Sequence, residues 1–187
     1  TFTAPADLCL DAGVQAGLGG GSPTNGVYSG AGVTDDGNGM TYTFDPAAAG
    51  VGIHPIMYEV TDANNGCSNI ANLNREVFAL PNVTFAITGT GTCINAGVVT
   101  LSGGSPIDGT VDGDITLYSG GPAITDNGNG TFDLDPITAG VGIQTITYTY
   151  TDDNGCTSSA DATFEVYPIP VVTFTAPADL CIDAGVQ

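Results

Sequence analysis

Five cysteines, two Asp/Asn-rich loops and one histidine are the residues of this chain whose types and spacing could do chemistry. The cysteines are Cys9, Cys67, Cys93, Cys156 and Cys181. No Cys-x-x-Cys pair is present and the one histidine is His54, so a zinc site lacks its parts. The pattern predicts disulfides instead: Cys9 with Cys67, Cys93 with Cys156, and Cys181 as the first half of a third pair. Closing a loop of about 60 residues would stabilise a small domain by about 4 kcal/mol on chain-entropy grounds. That is comparable with the whole net stability of so small a core. Oxidised cysteines in turn imply an extracellular setting.

The second candidate chemistry is that of a hard cation. Asp35-Asp36-Gly37-Asn38-Gly39 and Asp126-Asn127-Gly128-Asn129-Gly130 offer carboxylate and carbonyl oxygens, the ligands Ca²⁺ takes. The candidate ligands are Asp35, Asp36, Asn38, Asp126, Asn127 and Asn129. Glycine occupies alternate positions where an EF-hand needs ligands, and Asn-Gly and Asp-Gly also favour a plain hairpin turn with positive φ. Both readings stand, and the turn needs no ion. Asp62 with Asn64, and Asp152-Asp153-Asn154, carry the same two readings. Calcium is the one cofactor in question and none is required.

Composition removes most other functions. The chain has 20 acidic residues against one Lys or Arg, a formal charge of −19. Nucleic acid is excluded as a partner because nothing can neutralise phosphates, and an anionic membrane surface would repel the chain. No apolar segment is long enough to insert in a membrane. Without lysine, an Lys–Asn isopeptide staple cannot form. Acid–base, phosphoryl-transfer and Ser-His-Asp chemistry all lack components, and Asp-rich turns on small repeats give no cleft for a carboxylate dyad. The chain reads as no enzyme. His54 matches Gln144 of the second repeat and is expected to face solvent. Arg75 occupies the slot of Phe164, belongs to no repeated site, and is the one target for a trypsin-like protease. The sequons at Asn82 and Asn129 matter only where the source glycosylates them. The threonine row Thr145, Thr147, Thr149, Thr151 has the counterparts Pro55, Met57, Glu59 and Thr61, so strand propensity explains it better than a regular ice-matching ladder.

These groups must be positioned by a repeat. Thr1 to Gln15 reads TFTAPADLCLDAGVQ and returns at Thr173 to Gln187 as TFTAPADLCIDAGVQ, with a looser copy from Thr84. Residues 1–83 form repeat one, 84–172 repeat two, and 173–187 the opening strand of a third, so the chain reads as a window on a longer array. Each repeat, at about 85 residues, exceeds one solenoid turn and suits a small domain. A short insertion in repeat two, around Ile107 to Thr116, reads as a surface loop.

The strand signal is strongest at Ile143 to Thr151, where Ile146, Tyr148 and Tyr150 alternate with threonines. Repeat one places Ile56, Tyr58 and Val60 inward and Pro55, Met57 and Glu59 outward. Further strands are expected at Thr84–Thr88, Val98–Leu101, Ile115–Tyr118, Thr131–Leu134 and Ser159–Tyr167, with one helical turn at Pro46–Ala49. Six or seven short strands per repeat imply tandem antiparallel immunoglobulin-like β-sandwiches in a linear array, an all-β fold without the tryptophan of antibody domains. Prolines before each opening strand, in Ala79–Val83 and Pro168–Val172, stiffen the connectors.

The runs GVTDDGNGMTYTFDPAAAGVGIHPIMYEVTDANNGCS and AITDNGNGTFDLDPITAGVGIQTITYTYTDDNGCTSS resemble the Ig-like/PKD-like repeats of giant secreted surface proteins of Bacteroidetes, the gliding-motility adhesins among them. The shared pieces are FDP-x-x-AGVG, the I-x-Y-x-x-TD strand and the NGC turn, about half of each repeat. The resemblance implies a segment of a long extracellular fibre or adhesin stalk, whose partners are neighbouring repeats of the same chain or filament, with self-association open. The other reading is a calcium-dependent module that binds carbohydrate or a surface.

Overall fold

In the computed structural model, which describes residues 5–107 and 115–176, the strands fold into two β-sandwiches one after the other. The first holds β1 (Leu8–Cys9), β2 (Gln15–Gly19), β3 (Val27–Ser29), β4 (Val33–Asp35), β5 (Thr41–Phe44), the single turn α1 (Pro46–Ala49), β6 (Gly52–Thr61) and β7 (Ser68–Phe78). Its sheets run β1-β7-β6-β3 and β2-β5-β4. The second holds β8 (Thr84–Phe85), β9 (Gly91–Cys93), β10 (Val99–Ser102), β11 (Gly104–Ser105), β12 (Ile115–Ser119), β13 (Ile124–Asp126), β14 (Thr131–Leu134), α2 (Pro136–Ala139), β15 (Gly142–Thr151) and β16 (Thr157–Tyr167). Its sheets run β12-β15-β16-β9 and β10-β14-β13, with β8 and β11 as a short pair. Two facing sheets with this crossed order make the immunoglobulin-like arrangement. The loop expected at the Ile107–Thr116 insertion, and Cys181, fall largely or wholly outside the described residues.

One pairing in each sandwich differs from an all-antiparallel expectation. β1 lies parallel to β7, with Leu8 opposite Val77 and Cys9 opposite Phe78, and β9 lies parallel to β16, with Cys93 opposite Tyr167. The opening segment must cross from one sheet to the other, and it joins the last strand running in its own direction. Periodicity alone does not reveal this, because the segment is too short to alternate.

Alternation fixes the core. Tyr28, Tyr42, Phe44, Ile56, Tyr58 and Val77 are buried in the first sandwich; Tyr118, Phe132, Leu134, Ile146, Tyr148, Tyr150, Phe164 and Val166 in the second. Burying each large apolar side chain contributes roughly 1.5–3 kcal/mol. Pro55, Met57 and Glu59 are exposed, as the period of two requires.

Two tyrosines in each core also tie down loops. The Gly21 amide donates to the Tyr28 hydroxyl (2.8 Å), which donates to the Met40 carbonyl (3.2 Å). The second sandwich repeats this with Gly104, Tyr118 and Gly130 at 3.1 and 3.0 Å. The Tyr58 and Tyr148 hydroxyls donate to the carbonyls of Pro23 and Pro106, which follow the cis Ser22–Pro23 and Ser105–Pro106 bonds. The rings pack at a tilt, with centroids 4.5 Å apart for Tyr28 and Tyr58 and 4.7 Å for Tyr118 and Tyr148. Glycine is needed beneath them: a Cβ on Gly21 or Gly104 would sit 2.5 Å from the Tyr58 or Tyr148 ring.

The helical turns have clear local causes. Asp45 precedes Pro46 and accepts from the amides of Ala47 (3.0 Å) and Ala48 (3.3 Å), while Gly50 ends the turn at φ 84°. Asp135 caps α2 in the same way. A carboxylate at the cap followed by proline at the first helical position satisfies the free amides and presets the backbone.

Candidate functional site

The structure joins Cys9 to Cys156, with 5.5 Å between Cα atoms, and leaves Cys67 and Cys93 as exposed thiols. The expected pairs Cys9–Cys67 and Cys93–Cys156 are therefore corrected. Strand length is the reason. Cys67 stands next to Ser68 at the start of β7, and Cys9 is aligned with Phe78 at its far end. Eleven residues of strand separate those levels, about 36 Å at roughly 3.3 Å per residue. A disulfide needs Cα atoms roughly 4.4–6.8 Å apart. The same length of β16 separates Cys156 from Cys93. Each sandwich thus carries its two cysteines at opposite ends, and the bridge runs from the far end of one to the near end of the next.

The local frames of the two cysteine types repeat closely. Around Cys9, the Leu10 amide donates to the Phe78 carbonyl (3.0 Å) and the Ala12 amide to the Cys9 carbonyl (3.1 Å). Around Cys93, the bonds from Ile94 to Tyr167 and from Ala96 to Cys93 measure 2.9 and 3.0 Å. In the hairpin turns, the Asp62 amide donates to the Cys67 carbonyl (2.8 Å) and the Asp152 amide to the Cys156 carbonyl (2.9 Å). The turn of the first sandwich is one residue longer, since Thr61 pairs with Ser68 but Thr151 with Thr157. Cys156 is fully buried by its bridge, where Cys67 is exposed.

The Asp/Asn loops direct their oxygens inward upon themselves. Asp35 accepts from the amides of Gly37 (2.8 Å) and Tyr28 (2.7 Å). Asp36 accepts from the hydroxyls of Thr41 (2.6 Å) and Thr43 (3.1 Å), and Asn38 from the amides of Met40 and Thr41, both at 2.8 Å. In the second sandwich, Asp126 accepts from Gly128 (3.0 Å) and Tyr118 (3.2 Å), and Asn129 from Thr131 (3.1 Å). Asn127 donates to Thr131 (3.0 Å) and to Asp133 (3.2 Å). These bonds account for the residue types as turn formers. Among the described residues no three His, Cys, Asp or Glu side chains converge.

Two carboxylates stand out electrostatically. The Thr100 hydroxyl, and then the Asn127 amide, hold the Asp133 carboxyl below its ordinary value, and the Thr138 hydroxyl does the same for Asp135. Hydrogen bonds to the charged form favour it.

The two basic side chains differ from expectation. His54 is half-buried, and its Nε2 lies 2.7 Å from the Gly50 carbonyl. Gln144 makes the equivalent contact to Gly140 at 3.2 Å. Arg75 is 3% exposed within β7, so it offers no protease a flexible cleavage site. Its guanidinium lies 4.7 Å from the centre of the Phe44 ring, and its Nε donates to the Ala6 carbonyl (3.0 Å). Burial lowers its pKa and raises that of Tyr42, which Arg75 partly offsets. The sequence signal was Arg75's place in an inward-facing register; its charge argued the other way.

No protein-family model and no curated protein matches this chain. Among solved structures it is similar to extracellular domains 3–5 of Drosophila OTK, with 16% identity over 86% of this chain and 58% of that one (TM-score 0.37). It is similar to Drosophila N-cadherin EC1-4, with 11% identity over 88% and 47% (TM-score 0.38). It is also similar to the tandem Ig repeats of Dlar, with 12% identity over 88% and 93% (TM-score 0.32). The chain spans about half the length of the first two.

Proposed function

We propose that this chain is a structural segment of a long extracellular fibre or cell-surface adhesin stalk, built of immunoglobulin-like sandwiches clamped one to the next. The observation that carries this is the Cys9–Cys156 bridge between successive sandwiches. A disulfide inside each unit would only stabilise that unit. One that spans two units restricts the angle between them, which is what a load-bearing rod needs and a free-standing binding domain does not. Disulfides persist in oxidising compartments, which favours an exported location. The charge of −19 supports solubility at high local density. The likeness to gliding-adhesin repeats points the same way. The reading assigns no reaction and no cofactor to the chain.

Small-angle scattering of the chain, oxidised and reduced, tests the mechanical part. The oxidised chain should scatter as one stiff elongated particle, and reduction should broaden its distance distribution while both sandwiches stay folded. Identical curves would overturn it. Immunogold labelling of the source cells tests location: label on external filaments is expected, and label confined to the cell interior overturns the reading.

A further inference from the structure

We propose that Cys93 and Cys67 are the two open halves of this same bridge, Cys93 taking the turn cysteine of a following sandwich and Cys67 the strand cysteine of a preceding one. The inference rests on the stalk reading and deepens it by naming the partner of each end: another sandwich of this fold.

Four observations carry it. Cys93 sits at the far end of the second sandwich in the hydrogen-bonded frame that Cys9 has at the far end of the first. Cys67 lies in the near-end hairpin turn, as Cys156 does, closed by the same Asp-to-Cys backbone bond. Cys9 and Cys156 are bonded and Cys67 and Cys93 are exposed, so occupancy differs while the backbone bonds that frame each cysteine match.

The fourth observation is independent of sulfur. Val83 and Phe85, just after the first sandwich, pack against the second core. Their sequence counterparts Val172 and Phe174, just after the second sandwich, are 88% and 87% exposed. Apolar side chains of this size are left in water at the end that carries Cys93, where the equivalent residues elsewhere belong to the next sandwich. The occupant their chemistry calls for is therefore another such core.

Each bridge forms by thiol–disulfide exchange with a small-molecule disulfide such as oxidised glutathione. The two cysteine thiols give up two electrons and two protons, and the reagent leaves as two thiols. On this chain the prediction becomes an intermolecular link, since Cys93 of one copy and Cys67 of a second present the two matching ends.

The test uses the full chain and its C181S variant, so that the fifth thiol cannot exchange. Equal amounts of isotopically heavy and light chain are held in a glutathione redox buffer at high salt, which screens the like charges. Cross-linked peptides are then mapped by mass spectrometry after cleavage at acidic residues. The expected result is a retained Cys9–Cys156 link, with heavy–light Cys67–Cys93 links in roughly tenfold excess over Cys67–Cys67 or Cys93–Cys93. That ratio corresponds to about 1.4 kcal/mol of docking preference. Random pairing of the two thiols, or no Cys67–Cys93 link, with Cys9–Cys156 intact, overturns this inference alone. A Cys9–Cys67 or Cys93–Cys156 link within one chain overturns the stalk reading with it.

Discussion

The two sandwiches share their frame and differ at its centre. Tyr28 and Tyr118, Tyr58 and Tyr148, the glycines beneath those rings and the capping Asp45 and Asp135 occupy matching places with matching hydrogen bonds. Inside, Tyr42 and Arg75 in the first sandwich give way to Phe132 and Phe164 in the second. A phenol beside a buried guanidinium is thus exchanged, as a unit, for two hydrocarbon rings. The residues that hold loops to strands are kept, while the packed centre accepts either pair that fills the space. The cysteines teach the complementary lesson: the same local frame is bonded in one sandwich and open in the other, so a neighbour decides the bond.

The largest asymmetry should come from the bridge. C156S opens a loop of 147 residues, whose chain-entropy value is about 5 kcal/mol as a ceiling. C67S should change stability by less than about 0.5 kcal/mol, since it alters an exposed thiol. Denaturant melts of the two variants compare them directly, and equal losses would erase the distinction between the two turns.

Arg75 is the next contrast. R75A leaves a hole beside Phe44 and should cost about 2–4 kcal/mol, felt as faster amide exchange in β6 and β7 but not in β15 and β16. The double variant Y42F with R75F places the second core's residues at these two positions and should recover that loss or exceed the parent, because a buried charge yields to packed rings. A double variant weaker than R75A would show that the two centres are not interchangeable.

Glycine beneath tyrosine should be equally intolerant in both halves. G21A and G104A each force a methyl against a ring 2.5 Å away, at about 1–3 kcal/mol. A thermal melt showing one of them silent would mean that its tyrosine is free to move.

Acid should separate the halves more gently. Asp133 and Asp135 have folded-state pKa values below their unfolded ones, so the stability they add is complete above the unfolded value and fades as pH falls below about 4. D133N should flatten that acid limb for the second sandwich only, read by amide exchange between pH 2.5 and 5. The smallest effect expected is that of calcium. Asp35, Asp36 and Asp126 already accept hydrogen bonds from their own turns, so adding Ca²⁺ or EDTA should leave the melting temperature unchanged. A large EDTA-sensitive shift would favour the calcium-dependent binding module.

Much of this architecture is legible in the residues. The alternation at Ile56–Val60 and Ile146–Tyr150 gives the inner faces, and Pro46–Ala49 before Gly50 gives the first helical turn, because both are local effects. Which sulfurs meet is not local. Spacing along the chain suggested one bridge per repeat, but it carries no information about which end of a strand a cysteine occupies. That depends on β1 running parallel to β7, a choice made by the closing of the sandwich. The burial of Arg75 was obscured for a related reason: its charge says surface, its register says core, and the ring of Phe44 makes the second possible.

The Cys9–Cys156 bridge also reroutes tension. A pull along the chain reaches Cys9, crosses two sulfur atoms and leaves from Cys156, so the backbone between them hangs as a slack side branch. All of β2 to β15 is shielded, and about 500 Å of potential slack, at roughly 3.3–3.6 Å for each of 147 positions, is withheld. Among the described residues, those up to Leu8, together with β16 and the segment after it, stand directly in the line of load.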